Sequence, residues 1–139
     1  MITAASIQRM ALSDRDQEIL AINQAMLESV VKGDWGRYAE FCAADLSCFE
    51  AETNGHLVEG LPFHQYYFNL PAGDAPAAAV TVTMARPHLR WLSNDAVVLS
   101  YTRLTQRLSN GEPITARCCE TRIWHHRNGE WQQVHVHRS

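Results

Sequence analysis

The chain has 139 residues, of which 46% are hydrophobic, 19% charged and 9% aromatic; this is a globular composition of one domain's length, not a disordered one. A formal charge of −3 and a pI near 6.1 argue against a nucleic-acid-binding protein or a polybasic membrane binder. No apolar run approaches the about 18 residues of a membrane-spanning helix. Residues 1–11 lack a signal peptide's charged start and apolar core. Cys42, Cys48, Cys118 and Cys119 form no CxxC motif and no disulfide framework, so reduced thiols in a cytoplasmic protein are expected.

Residues 1–12 carry no period and read as a flexible arm before one domain over residues 13–139. Ser13 suits an N-cap, with Asp14 and Asp16 in the first turn where the helix dipole favours negative charge. Ile19, Ile22, Met26 and Val30 then form the apolar stripe of a long helix that Lys32 and Gly33 end. Asp34 caps a shorter helix in which Trp35, Tyr38, Phe41 and Cys42 share a face. A short strand is expected over residues 46–51, then a tight turn at Thr53-Asn54-Gly55 leading into Leu57-Val58. Pro62 suits the first turn of a third helix carrying Phe63, Tyr66, Tyr67 and Leu70.

After an Ala-, Pro- and Gly-rich connection the pattern changes to residues 80–91, 96–108, 113–127 and 131–138, all rich in Val, Thr, Trp and Tyr. Turn signals at Ser93-Asn94-Asp95, Ser109-Asn110-Gly111 and Asn128-Gly129 divide them, and Pro87 marks a bulge or an edge. Three helices followed by a four-stranded meander predict an α+β domain, with a long antiparallel sheet curling around the helices.

Several motifs recur together in one known family. Gly33-Asp34-Trp35, Ser47-Cys48-Phe49-Glu50 and residues 54–60 (NGHLVEG) resemble the association (hub) domain of calcium/calmodulin-dependent protein kinase II. So do Phe63-His64 with Tyr67-Phe68, Pro87-His88, residues 101–106 (YTRLTQ), residues 120–125 (ETRIWH), and the closing residues 128–132 and 134–139. The likeness spans about residues 14–139. It implies the nuclear-transport-factor-two-like (NTF2-like, cystatin-like, SnoaL-like) fold, a cone of strongly curved antiparallel sheet wrapped around a long helix and two shorter ones. It also implies assembly: a free-standing hub-like domain forming a homodimer or a larger ring, without kinase activity of its own. The sequence departs from the family at the shortened connection over residues 69–79, at Pro62 and Gln65, and at Cys118-Cys119.

Side chains two apart share a strand face. Arg103 then lies with Leu99, Tyr101 and Thr105, Arg122 with Cys118, Glu120 and Trp124, and Arg138 with Val134 and Val136. If these largely apolar faces line the cone, three guanidiniums converge in a partly dry space. The resemblance implies that they do, and adds His64. Converging arginines need anions, and their forks suit a carboxylate. A pocket for a small anionic ligand is therefore expected, with Tyr101 and His64 as neutral partners. The alternative is internal pairing, Glu120 to Arg122 and Glu52, Glu59 or carbonyls to another arginine.

An enzyme of isomerase, dehydratase or cyclase type is the rival function. It would use His64 or Glu120 as base and Tyr101 as proton donor. His125, His126, His135, His137 and Cys119 invite a metal reading, but the HxH pair is expected on the outer sheet face, and neither metal nor cofactor is predicted. Trp91 and Trp131 are expected on that same outer face, at a subunit interface.

Overall fold

A computed structural model describes residues 12–71 and 79–139. Residues 1–11 of the expected arm over residues 1–12, and the centre of the 69–79 connection, lie outside the described residues.

Helix α1 (Asp14–Val31) starts where the cap predicts. The Asp16 N–H donates to Ser13 Oγ and the Ser13 N–H to Asp16 Oδ2, each at 3.2 Å, a reciprocal capping box. At its end the chain turns away through Gly33 at φ +66°, a left-handed conformation that glycine adopts without a Cβ penalty. Ser13→Ala should cost about 1 kcal/mol, read as a lower urea midpoint with unchanged slope. Asp34 Oδ1 accepts from the Arg37 N–H at 3.1 Å and starts α2 (Trp35–Glu40), which buries Tyr38. Pro62 opens α3 (Pro62–Phe68), whose buried residue is His64.

The six strands are β1 (Cys42–Phe49), β2 (Val58–Glu59), β3 (Thr81–Ser93), β4 (Ala96–Ser109), β5 (Glu112–Arg127) and β6 (Glu130–Arg138). They form one sheet in the order β2-β1-β6-β5-β4-β3. The four long strands are the expected meander, and its last two turns are Asn110-Gly111 and Asn128-Gly129, both residues at positive φ in each. Strand β1 starts earlier than the sequence reading, because it pairs in parallel with β6 from Cys42↔Gln133 to Phe49↔His137. The Thr53-Asn54-Gly55 turn is longer than a tight hairpin: a 3₁₀ turn (Ala51–Thr53) precedes left-handed Asn54 and Gly55.

Two bulges decide which side chains point inward. In β3 the register shifts between Ala85 and His88, at Arg86-Pro87, with Arg86 at φ +53°. The extra residue flips the alternation, so Leu89 and Trp91 share the helix-covered face with Val82 and Met84. Trp91 is therefore not on the outer face as expected, and neither is Trp131, which lies beyond an irregularity in the β5–β6 pairing. Their rings meet edge to face at 5.8 Å beside the start of α1, and Trp91 Nε1 donates to Asp16 Oδ1 at 2.7 Å. In β6 the second shift falls between the Ile123↔His135 and Trp124↔Gln133 pairs. Gln133 is fully buried with Val136, while Val134, expected inside with Arg138, sits at the irregularity.

The core joins Ile19, Met26 and Leu27 of α1 to Val82, Val97, Leu99 and Trp124 on the sheet. Trp124 Nε1 donates to Asn23 Oδ1 at 3.0 Å, so both buried polar groups are satisfied. Core packing covers one sheet face and leaves the open end of the sheet to the charged cluster described next.

Candidate functional site

Strands β4, β5 and β6 bring Arg103, Arg122 and Arg138 to the inner face, where they line a cavity of about 200 Å³ together with His64 and Tyr67 of α3. Four of the expected site residues thus meet. Their register explains it: Arg103 is opposite Cys118, Glu120 is opposite Tyr101 and Arg138, and Arg122 is opposite Leu99 and Val136.

The three guanidiniums face three carboxylates. Arg103 Nη1 lies 2.9 Å from Glu120 Oε2, and Arg122 Nη2 lies 3.1 Å from Glu120 Oε1. Arg138 Nη2 donates to both Glu52 oxygens at 2.7 and 2.9 Å and lies 3.8 Å from Glu50 Oε2. The internal pairing weighed for Glu120 and Glu52 is present, and Glu120 extends it to Arg103. Glu59 makes no ion pair among the described residues.

The arginines are not equivalent. Arg122 is sealed: Nε donates to Tyr101 Oη at 3.0 Å, Nη1 to Gln133 Oε1 at 2.7 Å, and Nη2 to Glu120. Tyr101 Oη itself donates to Glu120. Tyr101 is therefore a support behind the ion pair and does not line the cavity, contrary to its expected role as a ligand partner. Arg103 and Arg138 keep side-chain exposures of 18% and 22%, so their forks reach the cavity. Arg103 Nε and both ring nitrogens of His64 are buried without a hydrogen-bond partner, and the nearest acid to His64 is Glu50, at 3.6 Å.

Burial pushes the Glu120 carboxyl up, but Arg122 and Arg103 outweigh it and hold its pKa below the ordinary carboxylate value. Burial likewise opposes the Arg122 charge, and Glu120 more than restores it. Glu50 is pushed up by burial and brought below its usual value by His64 and Arg138. Tyr101 is raised to about 12 by burial, with Arg122 opposing. A carboxylate held ionised by two guanidiniums is a weak proton acceptor, which disfavours Glu120 as a general base.

Gln133, Glu50 and Tyr38 were not among the expected site residues, although Tyr38 was placed on the apolar face of its helix and Glu50 in a family motif. Gln133 had no signal, because only the β6 bulge turns it inward. Glu50 carried one, its place in the Ser47-Cys48-Phe49-Glu50 motif of the family resemblance. The HxH pair does face away from the cavity: His135 Nδ1 lies 2.7 Å from Ser47 Oγ, and both histidine rings flank Phe49. His126, by contrast, packs on Trp131 at 5.0 Å.

The family model described as calcium/calmodulin dependent protein kinase II association domain matches residues 15–139. The chain belongs to this family. It is 39% identical over 126 residues to the calcium/calmodulin-dependent protein kinase type II subunit delta of Oryctolagus cuniculus, covering 90% of this chain and 24% of that protein. The hub-family chain thus spans about a quarter of the length of that curated relative. The solved hub homology domain of Chlamydomonas reinhardtii is 45% identical, with a TM-score of 0.85, over 91% of this chain and 98% of that one. An NTF2-like protein with a cystatin-like fold from Novosphingobium aromaticivorans shares the fold at 12% identity and a TM-score of 0.73, over 99% and 90% of the two chains. The NTF2-like cone expected from the sequence is the fold of this hub-family domain.

Proposed function

We propose that this hub-family chain is a self-associating domain whose cavity binds a small carboxylate on Arg103, Arg138 and His64. The observation that carries the ligand half is the set of unpartnered polar atoms at the cavity, Arg103 Nε and the two His64 ring nitrogens. Buried polar groups are ordinarily satisfied, and a carboxylate accepting from a guanidinium fork supplies what the internal glutamates leave unmet. At about 200 Å³ the cavity suits an acid of a few carbons. Arg122 holds Glu120 in place rather than meeting the ligand.

Self-association rests on the family and on the sheet. The helices cover one face, and the other carries Val98, Leu104 and Ile123 beside His135, His137 and Phe49. A second copy laid on that face, giving a homodimer, would bury this mixed apolar and polar surface. The four free cysteines fit a reducing compartment, and the cytoplasmic location remains part of this reading.

Native mass spectrometry from gentle buffer tests both halves at once. A dimer or larger ring carrying a small acid is expected. A monomer would overturn the assembly reading. A bare oligomer that also fails to take up added acetate or succinate would overturn the ligand reading.

A further inference from the structure

Beside the arginines lies a second cluster of different chemistry, two of whose three members line the cavity. Cys48 of β1, Glu50 just past its end and His64 of α3 each offer one donor atom, and these atoms lie within 4.8 Å of one another. Among the described residues this is the one group of three or more such side chains that could hold a metal ion. Cys48 and Glu50 are two apart, so the extended chain puts them on the same side, and α3 lays His64 across them. Cys48 is fully buried and its thiol is free. His64 is 6% exposed, and neither of its ring nitrogens has a hydrogen-bond partner.

We propose that Cys48, Glu50 and His64 form a binding site for one divalent transition-metal ion of the zinc class. The donor set selects the metal: sulfur and imidazole suit zinc or cobalt, whereas magnesium and calcium take oxygen ligands. The geometry is close to what such an ion needs. Ligand atoms about 2.0 Å (oxygen, nitrogen) and about 2.3 Å (sulfur) from a tetrahedral ion lie about 3.3–3.6 Å apart. Glu50 Oε1 and His64 Nε2 are already 3.6 Å apart. The sulfur lies within 4.8 Å of both other donors, so drawing it in takes a movement of no more than about 1.3 Å.

Charge also fits. A dication bound by one thiolate and one carboxylate is neutral, so the three nearby guanidiniums are not opposed by a net positive centre. The metal replaces the thiol proton, which leaves to solvent. The Glu50 carboxylate is steadied by Arg138, 3.8 Å from its other oxygen, and the His64 ring is held between Tyr38 and Phe63, each centroid 5.9 Å away. Such outer contacts fix ligand orientation. Three protein donors leave a tetrahedral ion one position, and Glu50 and His64 both line the cavity, where a water or a bound acid could fill it.

The inference does not rest on the carboxylate reading, since the probe is a metal ion alone. Chelator-treated full chain is titrated with Co²⁺ in a non-coordinating buffer. One equivalent should bind with a thiolate-to-cobalt charge-transfer band in the near ultraviolet and the visible absorption of tetrahedral cobalt, and added Zn²⁺ should abolish both. Cys48→Ser should lose the charge-transfer band. Losing a group that merely orients a metal ligand costs about 10–100-fold in affinity, so His64→Gln should weaken cobalt binding by more than about 100-fold. The paired change Cys118→Ser with Cys119→Ser should keep the band. No band in the folded parent chain, a band surviving in Cys48→Ser, or a band lost with Cys118 and Cys119 would each overturn the proposal. If Cys48→Ser does not fold, by circular dichroism, the parent titration, His64→Gln and the Cys118/Cys119 pair still decide it.

Discussion

Glu120→Gln lowers the stability of the chain by about 3–5 kcal/mol at neutral pH, because breaking a buried ion pair from one side leaves the other charge stranded. Glu120 and Arg122 are each only 2% exposed. Once the carboxylate is gone, Arg122 keeps only neutral partners, Tyr101 and Gln133. Glutamine preserves shape, so the loss reads charge rather than a cavity. Urea unfolding at pH 7 measures it, and a variant within about 1 kcal/mol of the parent would show that the pair contributes little. Replacing Arg122 by Met in the same chain should recover part of the loss, since removing both partners is far cheaper than removing one.

The same carboxylate sets the acid limit. Its folded pKa lies below the ordinary 4.5. Its stabilisation is therefore complete above that ordinary value and disappears as pH falls through the folded one. Glu50 is shifted in the same direction and adds to the effect. The parent should lose stability steeply below pH 4.5, and Glu120→Gln should show a shallower fall. Equal acid slopes in the two chains would remove Glu120 from the account.

The second large effect is functional. Arg103→Ala should weaken binding of a small carboxylate by about ten- to hundredfold, the worth of a hydrogen bond to a charged group. Its fork reaches the cavity and its Nε has no internal partner. Stability should change little by comparison, since Glu120 stays paired with Arg122 through two nitrogens. Arg103→Lys keeps the charge but not the planar fork, so it should bind the acid less well than the parent and better than Arg103→Ala. Calorimetric titration with succinate measures all three chains. Unchanged affinity in Arg103→Ala would sink the role assigned to this arginine.

Much of this site was legible because alternation is a local rule. Arg103, Glu120 and Arg122 lie on unbroken stretches of β4 and β5, and their shared face follows from spacing alone. His64 came from the family resemblance instead, since nothing in a seven-residue helix says which element it meets. Tyr101 lies on the expected face but plays a different part. A strand position says that a hydroxyl points inward, not that Arg122 and Glu120 reach it before a ligand does. Trp91 shows the rule failing. One extra residue at Arg86-Pro87 reverses the alternation of β3 from His88 to Trp91.

By itself, the sequence determined the caps of α1, the turns of the meander, the α+β class and the strand face shared by Arg122 and Glu120. Each of these depends on residues within a few positions of one another, where propensity, capping and periodicity act directly. Tertiary structure alone decided that β1 runs parallel beside β6, that Gln133 rather than Val134 turns inward, and that Glu50 and Glu52 reach Arg138. It also decided that Cys48, Glu50 and His64 meet. These contacts join elements far apart in the chain. Whether charges pair internally or wait for a ligand depends on distances of a few ångströms, which long-range strand pairing sets and local pattern does not.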